Sequence, residues 1–223
     1  MTIQEQAARR TFPTFRLTNL LRSTFAPRPG QKICILIDLP DPTQIKDFAF
    51  LKNTEFTIQR NAVKFFHEAL HNGTMDELGL QGGEIFAYKI TGGSNLDLPD
   101  QAFTPDGISE SLEKDVYPHY DIILCISTYS ATAPLTAFAK RYKFRGATLH
   151  GVNPTILRTG LSVSYDDVSI DAEKMRLGMT KADWVEIDFL YSGKTHTLRL
   201  ELGGQEAQKS HGLCRGDEPD VAN

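Results

Sequence analysis

The sequence predicts an α/β fold: a Rossmann-like open, mainly parallel sheet flanked by helices, followed by a β-hairpin that begins a second domain. Three observations carry this expectation. Apolar runs rich in β-branched residues recur along the chain as "KICILID", "EIFAYKI", "YDIILCIST" and "GATLHGV", the composition of strands buried on both faces. Stretches of helical character separate them. Late in the chain, "DWVEIDFLYS" and "THTLRLELG" meet at Ser192-Gly193-Lys194, the spacing of a tight hairpin.

Taken in order, residues 1–29 form a lead-in that is helical over "LTNLLRSTF" and stops at "APRPG", where two prolines and a glycine break the chain. "KICILID" is the first strand. The turn-rich "LPDPTQ" follows, with Thr43 as a candidate cap for a long helix over about residues 44–71. "EIFAYKI" (84–90) is the second strand, and "TGGSNLDLPDQAFTPDG" is a polar loop leading to a helix near residues 106–116. Then come a strand at 120–128, a helix in "SATAPLTAFAKRYK", a strand at 146–152, and helices in "NPTILRTG" and "SYDDVSIDAEKMRLGMT". This divides the chain into the lead-in (1–29), an α/β domain (30–182) and the start of a truncated catalytic domain (183–223).

The 223 residues suffice for a sizeable core. Lysines and arginines number 24 against 28 aspartates and glutamates, with no basic stripe, so a nucleic-acid partner is not expected. Cys34, Cys125 and Cys214 are odd in number and widely spaced, and two lie in apolar runs, as buried reduced thiols do. The opening "MTIQEQAARRTFPTF" has no apolar signal core and no run is long enough to span a bilayer, so a cytoplasmic protein without a membrane partner is expected.

The motif that most invites a catalytic reading is His67-Glu68-Ala69-Leu70-His71, the His-Glu-x-x-His spacing that holds zinc on one helix face in many proteases. On that reading His67 and His71 bind metal and Glu68 is the general base. Projected at roughly 100° per residue, however, Ile58, Ala62, Val63, Phe66, Ala69 and Leu70 make the apolar face, with His67 at its border and Glu68 and His71 on the polar side. Glu68 follows Lys64 by four residues, as in an ordinary surface ion pair. No third ligand follows at the spacing of the longer zinc-protease motif. The structural reading therefore makes this a helix end, with Gly73 as cap and His71 against the last carbonyls.

Other motifs have plain readings. "SGKTHT" lacks the glycine a phosphate loop needs, because that position is Asp188, and it reads as a hairpin turn. Arg215-Gly216-Asp217 is an adhesion tripeptide only in an extracellular loop. Asp166 and Asp167 precede a helical run, where acids favour the helix N-terminus over metal binding. "ISTYSATAP" is more informative, since a buried strand ending in hydroxyls is where open α/β sheets place ligands. Ser127, Thr128, Ser130 and Thr132 either face a ligand there or cap the next helix.

From about Tyr120 onward, "YDIILCISTYSATAPLTAFAKRYKFRGATLHGVNPTILRTGLSVSYDDV", then "ADWVEIDF" and the closing "GLCRGDEPDVAN", resemble the aminopeptidase T family of metallo-aminopeptidases. The resemblance covers roughly the last half of the chain. It implies an N-terminal α/β domain preceding a leucyl aminopeptidase-like hydrolase domain that binds two divalent ions, zinc, cobalt or manganese, through glutamate, histidine and aspartate. The first of those ligands is the glutamate of an Asn-Leu-Pro-x-Gly-Glu box, and Asn223 matches its opening asparagine. The resemblance thus implies the N-terminal region of a peptidase that is catalytically incomplete as this chain, with no catalytic, cofactor-binding or metal-binding residue among its 223. A peptide or small-molecule substrate and a possible homodimer go with it. Relatives similar to 2,5-dihydroxypyridine 5,6-dioxygenase, which use iron, a zincin-like hydrolase built on "HEALH", and a non-catalytic binding or oligomerisation module are the alternatives.

Overall fold

The structure is a computed structural model that describes residues 12–222. The opening residues 1–11, on which most of the signal-peptide reading rests, and Asn223, the asparagine matched to the metal-ligand box, lie outside the described residues. The chain divides into two compact units, one comprising residues up to Val163 together with the segment from Leu213, the other Ser164–Gly212.

The first unit is the expected α/β layer. Strands β1 (Lys32–Leu39), β2 (Gln81–Lys89), β3 (Gln101–Phe103), β4 (Ser109–Ser111), β5 (Ile122–Ile126), β6 (Arg145–Thr148) and β9 (Val221–Ala222) form one sheet in the order β4-β3-β2-β1-β5-β6-β9. All pairings are parallel except β2 with β3 and β3 with β4. β1 is central because, Lys32 and Asp38 apart, its sequence is wholly apolar: of its eight residues only Lys32 is exposed. Alternate residues of β1 point to opposite layers. Cys34 and Leu36 join Phe86, Ile123, Cys125 and Leu135 in one core cluster.

Helix α1 (Leu17–Phe25) buries Leu17, Leu20, Leu21 and Phe25, a helical spacing, so the lead-in is part of the core. The buried Arg145 at the start of β6 fastens it. Its guanidinium donates to the Phe25 carbonyl at the end of α1, to the Cys214 carbonyl at 3.1 Å and to Gln31 Oε1 at 3.0 Å. Helix α2 begins at Thr57–Ala62, passes through a wider, π-type turn at Val63–His67 and breaks at Asn72 and Gly73, after which the short helical turn Met75–Leu78 leads to β2. Helix α3 (Thr132–Tyr142) covers the other side, and the short α4 (Pro154–Arg158) is capped by Asn153, whose Oδ1 accepts from the Thr155 and Ile156 amides.

The sequence reading differs from the structure at four places. The long helix expected from residue 44 begins at Thr57; before it, the 3₁₀ segment Pro42–Lys52 breaks at Asp47 and Phe48, both at positive φ, and is capped by Asp41 rather than Thr43. The helix expected near 106–116 is replaced by the β3–β4 hairpin and a single turn at Leu112–Val116, because Asp100 binds the Ser111 hydroxyl and the Glu113 amide. The second unit starts at Ser164, not near 183. The chain also returns to the sheet at β9, within a tail that reads as polar and glycine-rich.

The second unit holds helix α5 (Tyr165–Lys181) and the hairpin β7 (Trp184–Tyr191) to β8 (Lys194–Glu201). Ser164 caps α5 through the Asp167 amide at 3.3 Å, which leaves Asp166 and Asp167 in the first turn. Ser192 and Gly193 both have positive φ, as a type I′ turn requires. Asp188 accepts from the Thr197 hydroxyl at 2.6 Å across the hairpin. The "SGK" stretch is thus a hairpin turn.

A contrast between the two units follows. Ile35→Ala, in a fully buried position of β1, is expected to cost about 2–5 kcal/mol of stability through lost burial and a residual cavity. Leu190→Ala, at 78% exposure, should stay within about 0.5 kcal/mol. Urea unfolding of both variants checks this, and equal losses would contradict the assignment of the core.

Candidate functional site at the switch point of the sheet

After β1 the chain goes to β2 on one side and later to β5 on the other, so the topological switch point lies at the carboxyl ends of β1 and β5. Asp38, the second-last residue of β1, puts a carboxylate there with 1% exposure. It accepts from the Thr128 amide at 2.9 Å through each oxygen, from the Thr128 hydroxyl at 3.1 Å and from Gln59 Nε2 at 2.7 Å. Gln59, itself buried, also donates to Thr128 Oγ1 at 3.1 Å. Burial pushes the Asp38 carboxyl above its usual range, and the bonds from Thr128 and Gln59 oppose that push.

The hydroxyl-rich box predicted from the sequence is at this point, and its members bind one another. Ser127 donates to the Tyr129 carbonyl at 2.7 Å. Thr132 Oγ1 lies 3.0 Å from Ser130 Oγ and 2.8 Å from Thr148 Oγ1. The N-terminus of α3 is served from outside the helix: Asn95 Oδ1 accepts the Ala133 amide at 3.0 Å, and the Asn95 amide donates to the Ser130 carbonyl at 2.6 Å. The polar loop after β2 therefore closes over the carboxyl end of the sheet. Beneath lie Tyr88 Oη and Cys125 Sγ, 3.5 Å apart, with the Cys125 thiol pushed up to about 11 by burial. All three cysteines are buried and free.

Sequence reasoning found Thr128 and its neighbours but missed Asp38 and Gln59. The available signal was a charge at the end of "KICILID": a carboxylate closing a wholly buried strand requires donors from elsewhere in the fold.

The histidine motif lies at another place. His67 is half-buried, its ring edge-on to His71 at 4.8 Å and near Phe48 at 5.5 Å, while Glu68 and His71 are exposed. His71 Nε2 is 3.2 Å from the Gly83 carbonyl of β2, so it bonds to a neighbouring strand rather than to its own helix end. Gly73, at φ 107°, breaks the helix as expected. Burial and the adjacent His71 ring hold His67 down to about 4, hence neutral near pH 7. Both imidazoles line a cavity of about 600 Å³ beside β2, together with Glu84, Glu110, Asp115 and His119. Among the described residues no group of three histidine, cysteine, aspartate or glutamate side chains is arranged to hold a metal ion. Arg215 and Asp217 are engaged within the fold, with the Ser23 carbonyl at 2.7 Å and in an ion pair with Arg28.

Compared with protein-family models, with curated proteins and with solved structures, the chain has no match in any of the three. Among the described residues no helix is long and apolar enough to cross a membrane.

Two predictions test the geometry. Asp38→Ala leaves the Thr128 amide and hydroxyl without their acceptor and Gln59 Nε2 with Thr128 Oγ1 alone, and should cost about 2–4 kcal/mol, whereas Thr128→Val should cost about 1 kcal/mol; denaturant unfolding ranks them. For His67, a base with a lowered folded pKa, the unfolded chain binds the proton more readily. The stability from keeping it neutral is therefore complete above about pH 6.5 and is lost as the pH falls toward about 4. Its exposed part reduces the effect to about 1–2 kcal/mol. A His67→Gln variant should lose that slope, and an unchanged pH profile would contradict the assignment.

Proposed function

We propose that this chain is the substrate-positioning, non-hydrolytic N-terminal region of an aminopeptidase T-like metal-dependent peptidase, acting in the cytoplasm on a peptide or small aminoacyl compound. The observation that carries the reading is the place of the hydroxyl box. One part of the stretch that carries the resemblance, the hydroxyl residues from Ser127 to Thr132, stands at the switch point, where α/β sheets bind ligands, on a strand end held by the buried Asp38. The α/β architecture agrees with what the resemblance implies.

The chain's own residues do not fit the two divalent ions of that family. His67 and His71 stand edge-on with His71 engaged by Gly83, and the described residues offer no three-ligand set. In a complete site those ions would polarise a peptide carbonyl and activate water. What the chain contributes on this reading is shape: a rigid sheet end, closed by the loop carrying Asn95, that presents hydroxyls and amides to a substrate.

The test is direct. Purified chain, supplied in turn with zinc, cobalt and manganese, is expected to leave leucyl-p-nitroanilide unhydrolysed beyond the metal-only blank. Saturable, metal-dependent turnover at enzyme-like rates would overturn the reading and return attention to His67, Glu68 and His71.

A further inference from the structure

We infer that the outer edge of β2 at Gln81–Phe86 is a docking site for an extended basic peptide segment, which adds to the sheet as an extra strand. On its inner side β2 is paired with β1 along its length, from Lys32 opposite Gln81 to Leu39 opposite Lys89. On its outer side β3 covers only Ala87 and Tyr88. Among the described residues no strand lies beside Gln81–Phe86, a run of roughly 20 Å in extended chain. Alternate backbone groups of such a run point outward and look for partners.

The space beside this edge is roomy and charged. The cavity of about 600 Å³ lies along it, and among the described residues its walls carry Glu84, Asp106, Glu110 and Asp115 against one lysine, Lys32, with His67 neutral. Burial, with Asp115 and Glu84 close by, pushes the Glu110 carboxyl up, the mark of a site in which a cation relieves repulsion. Charge complementarity thus selects a lysine- or arginine-bearing occupant. A second copy of this chain would bring another acidic wall against the first, on a protein already at net charge −4.

The edge is guarded rather than open to any strand. Gly83 is the extra residue where the β1–β2 register shifts, and its carbonyl is already held by His71. A bulge and acidic neighbours blunt an edge against neutral and acidic strands, and leave it available to one of opposite charge. This inference is independent of the family reading, since it uses neither the switch point nor any metal.

The probe is a fluorescein-labelled, end-blocked peptide of alternating threonine and lysine, titrated with the full chain and read by anisotropy at low salt. Saturable binding is expected, weakened roughly tenfold or more when the lysines become glutamates or when alternate backbone amides are N-methylated. A Glu84→Gln, Glu110→Gln double variant, shown folded by circular dichroism, should bind several-fold more weakly. Equal affinity for the N-methylated peptide, with spermidine displacing it, would overturn strand addition in favour of a small-cation site. Failure of the lysine peptide to bind would overturn the docking site altogether.

Discussion

One carboxylate sets the terms for the rest of the first unit. β1 is buried on both faces and has strands on both edges, so Asp38 sits where an uncompensated charge would be intolerable. It remains only because donors from two other elements converge on it, the amide and hydroxyl of Thr128 after β5 and the side-chain amide of Gln59 in α2. The same bonds fix the end of β5 relative to β1 and the start of α2 relative to both. A polar requirement imposed by one residue thereby determines where the switch point lies and which side chains surround it. Arg145 plays a corresponding part at the opposite ends of the strands, where carbonyls of α1 and of the returning C-terminal segment absorb its donors.

How much of this was legible in the sequence depends on what each residue answers to. The apolar runs of β1, β2 and β5 were readable because burial on both faces leaves a signature in composition alone, whereas the fourth, expected over 146–152, is a strand only over Arg145–Thr148. The segment 44–56 and the region 106–116 were misread as helix for a shared reason. In both, a side-chain oxygen near the start, Asp41 or Asp100, takes backbone or hydroxyl donors and turns the chain locally, which outweighs weak helical periodicity. β9 was invisible for another reason: two residues, Val221 and Ala222, cannot display an alternating pattern, and only the exposed edge of β6 gives them a place.

The histidine motif shows the limit of helical projection. The projection correctly leaves Glu68 toward solvent and His67 at the border, because those positions follow from periodicity. It does not foresee that His71 is held by β2, since the acceptor belongs to a bulge created by a register shift in another element. The wider turn at Val63–His67 also rotates successive side chains by less than an ordinary turn does, and the backbone leaves the helix at Asn72 and Gly73, so a constant angle drifts along this segment. Two histidines that share a motif in sequence end with different work: one packed neutral beside Phe48, the other pinning a strand.

The return of the chain at β9 has a consequence for the order of folding. Everything else in the sheet is complete by Thr148, yet the strand beside β6 is drawn from residues that follow the 49-residue excursion Ser164–Gly212. Loop-closure entropy grows only slowly with length, about 0.6 kcal/mol for each doubling, so the excursion is thermodynamically cheap. Kinetically it is not neutral, because the outer edge of β6 stays bare until Val221 and Ala222, beyond the excursion, have been made. During that interval the nascent sheet relies on the shortness of β6 to discourage stray pairing.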